Sequence, residues 1–283
     1  MIYTVLFLSI YVGSMILGRI LKIDGSKLMT PVVLVLIFTV SAWASTQVGL
    51  QQLKDLLLYS LIFTTLLVLS TLGLGALLRD RGHSEEAKVR ASFPYHYPLA
   101  LVLGWLFGYF VRFPPYSSAV TYELYVLAAV VGTSIWRGLS LRTVRVGGVR
   151  ALLSIGVALG GAVVASVAVT PLSGVGFNAN LAAALGMGWY SFTGPALAAY
   201  VSPYYGVAAF LVNFFREQLT YVLVPAVRRN QVGLLALGGA TTMDDTLPVF
   251  VSTFGPESGV SAAVNGVLLT LLVPLMVSLA VAL

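Results

Sequence analysis

Eight predominantly apolar stretches, near residues 2–18, 29–48, 56–78, 97–112, 119–136, 151–170, 206–227 and 259–282, dominate the chain. Each is roughly 17–25 residues long, the length a helix needs to cross the hydrocarbon of a bilayer. Hydrophobic residues fill 58% of the 283 positions and charged residues 9%, more apolar surface than a water-soluble core of this length requires. The sequence therefore predicts an all-α polytopic membrane protein with the lipid bilayer as its solvent. The first stretch has neither a basic leader nor a small-residue cleavage site and reads as a retained span. There is no cysteine, and the two histidines, His83 and His96, fall in one polar loop. No metal or cofactor is therefore expected.

Two further apolar segments, 180–200 and 231–253, are long enough to cross but contain glycine and proline inside. Charge decides how they run, because cytoplasmic connections carry the excess of Lys and Arg. Arg19, Lys22 and Lys27 follow the first span, Arg79, Arg81, Lys88 and Arg90 the third, and Arg137, Arg142, Arg145 and Arg150 the fifth. The second and fourth connections hold only Lys54 and Arg112. This places the amino terminus outside. If segment 180–200 dips in and returns, Arg228 and Arg229 also fall inside; if it crosses, they are stranded outside. The expectation is thus eight transmembrane helices plus two re-entrant, broken helical segments, with both termini outside. A ten-helix protein with kinked seventh and ninth helices is the alternative. The net charge of +6 lies in these loops and is a topology signal, so no nucleic-acid partner is expected.

The two broken segments resemble each other at a spacing of about 53 residues. GMGWYSFTGP from Gly186 to Pro195 matches GATTMDDTLP from Gly239 to Pro248 at Gly186/Gly239, Thr193/Thr246 and Pro195/Pro248. Val212-Asn213 then matches Val264-Asn265 with one residue of slippage. Each copy, 180–227 and 231–282, is a broken segment followed by a full span. Under this topology they enter from opposite faces, an inverted repeat of the kind that builds transporter sites. Non-helical backbone at membrane depth is tolerated only beside protein or a water-filled cavity, so two facing breaks make a site. Residues 119–283 read as the transport unit and 1–118 as an amino-terminal scaffold of four helices, which leaves room for a homo-oligomer. Chance likeness between Gly/Ala-rich stretches is the competing explanation.

Carboxylates inside a membrane are expensive and mark pathways. Asp244 and Asp245 lie in the second break, Glu217 in mid-span and Glu123 near the outer end of the fifth span. Neighbouring helical residues point about 100° apart, so both aspartates can face one ligand only if the backbone unwinds. Asp244 is taken as primary and Asp245 as support. Asn213, Arg216, Glu217 and Thr220 share one helical stripe. Arg216 could pair with Glu217 or an aspartate of the break, leaving both residues purely structural. Tyr190, Ser191, Thr193, Thr241, Thr242, Thr246 and Asn265 surround the breaks, although Ser and Thr often bond only to their own helix. Adjacent aspartates in one segment do not suit an intramembrane aspartyl protease, which needs two facing each other from different helices, and no enzyme is expected.

GMGWYSFTG, VNFFREQL with VPAVRR, and GGATTMDDTLPV, in this order and spacing, resemble the lysine exporter LysO family over roughly residues 120–283. The resemblance implies export of L-lysine and of analogues such as thialysine across the cell membrane, with eight spans and both ends outside. It also implies that intramembrane acids serve transport, one of which falls on Asp244. Relatives are apolar at the position of Asp245, and they tend to carry an acid at the end of the second span, where Ser41 to Gly49 offers only Gln47. Proton antiport is the expected coupling, with an inorganic cation (Na+)/proton antiporter as the alternative.

Overall fold

The computed structural model describes residues 2–47, 50–78, 95–112, 115–135 and 141–283. Among these the chain forms twelve α-helices and no strand. In chain order they are α1 (Ile2–Leu21), α2 (Ser26–Ser45), α3 (Leu50–Leu77), α4 (His96–Phe110), α5 (Tyr116–Ile135), α6 (Leu141–Ser173), α7 (Phe177–Ala184), α8 (Tyr190–Tyr200), α9 (Pro203–Val227), α10 (Gln231–Gly238), α11 (Leu247–Phe254) and α12 (Pro256–Ala282). Five of them, α2, α3, α6, α9 and α12, are long and apolar enough to cross a membrane. His83, Arg79, Arg81, Lys88, Arg90 and Arg137 lie outside the described residues. His96 departs from expectation: it opens α4 instead of lying in a loop.

Both interrupted segments are broken where the sequence places glycine. Segment 180–200 becomes α7 and α8, separated by residues 185–189; segment 231–253 becomes α10, a 3-10 turn at Gly239–Met243, and α11. Met187, Gly188 and Gly239 all adopt positive φ at these breaks. The full helix α9 then starts cleanly, with Pro203 in its first turn and the Ser202 hydroxyl accepting from the Tyr205 amide. Both features satisfy the free donors of a helix start.

The distribution of polarity is inverted relative to a water-soluble protein. Leu58, Leu61 and Leu69 of α3, Leu103, Leu106 and Phe110 of α4, and Leu152 and Val167 of α6 are exposed, whereas Asn213, Arg216, Glu217, Thr220, Thr242 and Asn265 are fully buried. That arrangement suits lipid outside and hydrogen-bonded polarity inside. Without a hydrophobic drive between helices, close backbone approach supplies much of the packing. Gly104 and Gly108, one turn apart on α4, lie against the carbonyls of Phe38 and Ala42 on α2, where any Cβ would collide.

The half-helices α7 and α10 occupy the centre, among α3, α6, α9 and α12. Asparagines anchor them. Asn180 accepts from the Tyr59 hydroxyl of α3 at 2.6 Å and donates to Thr170 of α6 at 3.0 Å. Asn230 donates to the Leu72 carbonyl of α3 at 2.7 Å and accepts from the Gly233 amide at 3.2 Å. Farther along, Asn213 on α9 donates to the Ala183 carbonyl at 2.8 Å, and Asn265 on α12 donates to the Leu235 carbonyl at 3.2 Å. In both cases the partner lies 30 residues upstream, so the two segments are tied to their following helices in the same way.

Gly239 combines φ +62° with a position at which a Cβ would strike the Met187 carbonyl. Gly239→Ala is therefore expected to cost about 1–3 kcal/mol in backbone strain alone and to lower the unfolding temperature in detergent. Gly73→Ala in α3, where a Cβ meets nothing within 4 Å, should leave that temperature unchanged or raise it.

Candidate functional site

A helix that stops in mid-membrane leaves unpaired carbonyls at its end. Here α7 and α10 end side by side, and one guanidinium serves both. Arg216 is fully buried; its Nε donates to the Leu237 carbonyl at 2.8 Å, Nη2 to Ala236 at 2.6 Å and Nη1 to Ala184 at 3.2 Å. Nη2 also lies 3.6 Å from the Met187 sulfur. A cation at two converging helix C-termini is favoured by their dipoles as well as by hydrogen bonding. The alternative of a purely structural pair between Arg216 and Glu217 or an aspartate is replaced by this arrangement, because the guanidinium is already engaged by carbonyl groups.

The two breaks touch directly. The Ala240 amide donates to the Met187 carbonyl at 2.8 Å. Asn213 accepts from the Gly188 amide at 2.8 Å, holding the first break open, while Asn265 donates to the Gly239 carbonyl and to the Thr242 hydroxyl, both at 3.0 Å, and accepts from Ser154 at 2.6 Å. Thr193 bonds back to the Trp189 carbonyl at 2.8 Å, Thr242 to the Gly239 carbonyl at 2.8 Å, and Thr246 lies 3.2 Å from Thr241. Asn213, Arg216, Thr193, Thr242, Thr246 and Asn265 thus hold the broken backbone in place.

A second set faces a cavity of about 70 Å3 beside the breaks. Tyr190, Ser191, Thr241, Asp244 and Asp245 line it. The backbone is non-helical at Asp244, at φ −138° and ψ −85°, and the Asp245 amide donates to the Asp244 Oδ1 at 2.7 Å. That unwinding brings both aspartates to the wall of one cavity, and both side chains remain exposed. The Tyr221 hydroxyl fixes the turn from α9 by donating to the Asp245 carbonyl at 2.6 Å. Gly188, Trp189, Tyr190 and Ser191 bring the amino-terminal end of α8 to the same wall.

Glu217 and Glu123 are placed differently. Glu217 is fully buried behind the wall, and neither carboxylate oxygen accepts a hydrogen bond of normal geometry, although Tyr190, Asp244 and Asp245 lie within electrostatic reach. Glu123 is half-buried on α5, accepts from the Thr39 hydroxyl at 2.9 Å, and lines no cavity described here. A larger cleft of about 450 Å3, bounded by Trp43, Ser117, Tyr125 and Tyr200, has no carboxylate in its wall.

Sequence reasoning missed the contribution of α2, α4 and α5. Met29 and Val33 of α2, Tyr97 of α4 and Val131 of α5 complete the cavity. No spacing rule joins residues from separate helices, and Tyr97 reads in sequence as an interfacial aromatic. Trp189 and Met243, also in the wall, sit inside the repeated motifs and were legible by position.

A family profile described as lysine exporter LysO matches residues 99–281, more than half of the chain. The lysine exporter LysO of Escherichia coli K12 is 42% identical over 102 residues, 36% of this chain and 34% of that protein, so the match spans about a third of that relative's length. A putative lysine exporter of Haemophilus influenzae is 29% identical over 184 residues, 63% of this chain and 91% of that protein. No solved structure matches.

Arg216→Met keeps the bulk but leaves three buried carbonyls without this donor, each worth about 1–3 kcal/mol when unsatisfied. Thermal unfolding in detergent should rank the parent above Arg216→Lys and that variant above Arg216→Met. Adding Glu217→Gln to Arg216→Met should restore nothing, whereas a true ion pair would show rescue in such a double-mutant cycle.

Proposed function

The chain belongs to the lysine exporter LysO family, and from that premise we propose that it is a secondary active transporter exporting L-lysine, and analogues such as thialysine, by proton antiport. The observation that carries the reading is the cavity between two broken segments, with Asp244 and Asp245 on one side and the amino-terminal end of α8 on the other. Lysine has an ammonium side chain and a zwitterionic head. The aspartates suit the ammonium groups, and the positive end of the α8 dipole suits the carboxylate. Tyr190, Ser191 and Thr241 add hydroxyls for orientation.

Coupling follows from charge. Lysine carries +1, and moving it out against an inside-negative potential costs about 2.3 kcal/mol per 100 mV. One proton entering for each lysine leaving cancels that term, and the carboxylates of the site are the groups that can hold an ammonium or a proton.

The inverted-repeat topology with eight crossings and both termini outside is part of this proposal. Two observations support it. Met187 and Ala240 are equivalent at the spacing of about 53 residues and bond to each other, as expected when a twofold axis passes between like surfaces. Met29, Tyr97 and Val131 lie at the ends of α2, α4 and α5 that adjoin the basic connections, so the cavity belongs to the cytoplasmic half, where an exporter loads.

Vesicles holding the purified protein and an imposed pH gradient should accumulate labelled lysine. Asp244→Asn should reduce that flux by about tenfold or more, the scale of losing a hydrogen bond to a charged group, with a smaller loss for Asp245→Asn. Full gradient-driven flux in Asp244→Asn rejects the assignment. Sodium-dependent proton movement without lysine transport points instead to an inorganic cation antiporter.

A further inference from the structure

We infer that Glu217 is the proton site of the transport cycle, separate from the aspartate cradle that takes the substrate ammonium. The inference rests on the lysine reading above and divides the labour among its carboxylates.

Glu217 is the buried acid that the cavity does not use. It has no accessible surface, its oxygens have no hydrogen bond of normal geometry, and it does not line the cavity. Its neighbour Arg216 supplies no compensating contact, because the guanidinium is committed to the carbonyls of Ala184, Ala236 and Leu237. The titratable groups acting on Glu217 are Asp244 and Asp245 from the second break, Tyr190 from α8, Tyr221 from α9 and Tyr97 from α4. Helices α2, α3, α7 and α10 add none to that set. Two of those groups are acids, and the basic group of the cradle, His96 at the start of α4, acts on Asp245; Glu217 itself is buried with its oxygens unpaired, a setting in which a bare charge is costly.

An arriving ammonium reverses that balance. It brings one positive charge to Asp244 and Asp245, and the proton on Glu217 is then released as H+ while the carboxylate keeps the electron pair. One positive charge enters the site and one leaves, so the interior charge is unchanged. Tyr190 offers the route, since its ring lines the cavity and its hydroxyl is the hydrogen-bonding group that reaches toward Glu217.

The test uses purified full-length protein in weakly buffered detergent with a pH indicator. Adding lysine to the parent should release close to one proton per lysine bound, and Glu217→Gln should abolish release while keeping lysine-induced thermal stabilisation within a few-fold in midpoint. In vesicles the same variant should lose acceleration by the pH gradient. Infrared difference spectra of the parent should show loss of a protonated-carboxyl band on lysine addition, and Glu217→Asp should shift that band, an arm that holds even if Glu217→Gln fails to fold. Proton release by Glu217→Gln at the parent's level overturns the inference, as does loss of lysine binding in a folded Glu217→Gln or an unshifted band in Glu217→Asp. Lysine binding and flux in the parent with any of these results leave the transport reading standing; no lysine response in the parent removes both.

Discussion

Breaking a helix inside lipid strands carbonyl groups, and here a single guanidinium resolves two such breaks at once. Arg216 reaches the ends of α7 and α10 from α9, so neither half-helix can shift without disturbing the other. An arginine suits this because its planar fork presents several donors in fixed directions and it stays charged in burial. The cost of burying that charge is offset by three carbonyls and two helix dipoles instead of a carboxylate. The acids nearby are consequently not neutralised by this guanidinium, which leaves them available to a cation.

Around this clamp the two segments are held by similar means with different partners. Asn213 and Asn265 each tie a half-helix end to the following full helix. Asn213, however, also accepts from the Gly188 amide, while the oxygen of Asn265 is taken by Ser154 of α6. The first break is fixed from within its own repeat, and the second borrows support from outside it. The two breaks are therefore held by different bonds, so a change in the packing of α6 would loosen the second without touching the first.

Much of this was legible in the sequence, for identifiable reasons. Helices occupy the eight apolar stretches and both interrupted segments are broken, because hydrophobic length and helix-breaking glycines are local signals; five of those helices are long and apolar enough to cross, and α3 and α6 begin well before the limits that hydropathy alone drew, at Leu50 and Leu141. Asp244 and Asp245 were legible as a pair needing unwound backbone. Arg216 was legible as buried but not as a clamp, since its partners are main-chain carbonyls, which no sequence identifies. Tyr97, Met29 and Val131 were invisible for a similar reason: their role depends on how α2, α4 and α5 pack against the breaks. Thr193 and Thr242 looked like ligand groups and bond to backbone carbonyls, while Thr246 meets the Thr241 hydroxyl, the usual competition for a hydroxyl in a helix.

The differences between the copies say more about the substrate than their likeness does. At the spacing of the repeat, Ser191 stands opposite Asp244 and Phe192 opposite Asp245. Ser191 and Asp244 line the same cavity, so equivalent positions meet there with a hydroxyl on one side and a carboxylate on the other. Acids in both copies would crowd four carboxylates around one small space, which suits a bare multivalent cation and repels any anionic group. Keeping the first copy neutral leaves the α8 helix end free to attract negative charge while the second copy attracts positive charge. On the proposed reading, a site that joins two acids with the dipole-positive end of α8 is complementary to a molecule bearing both signs, and a basic amino acid is such a molecule.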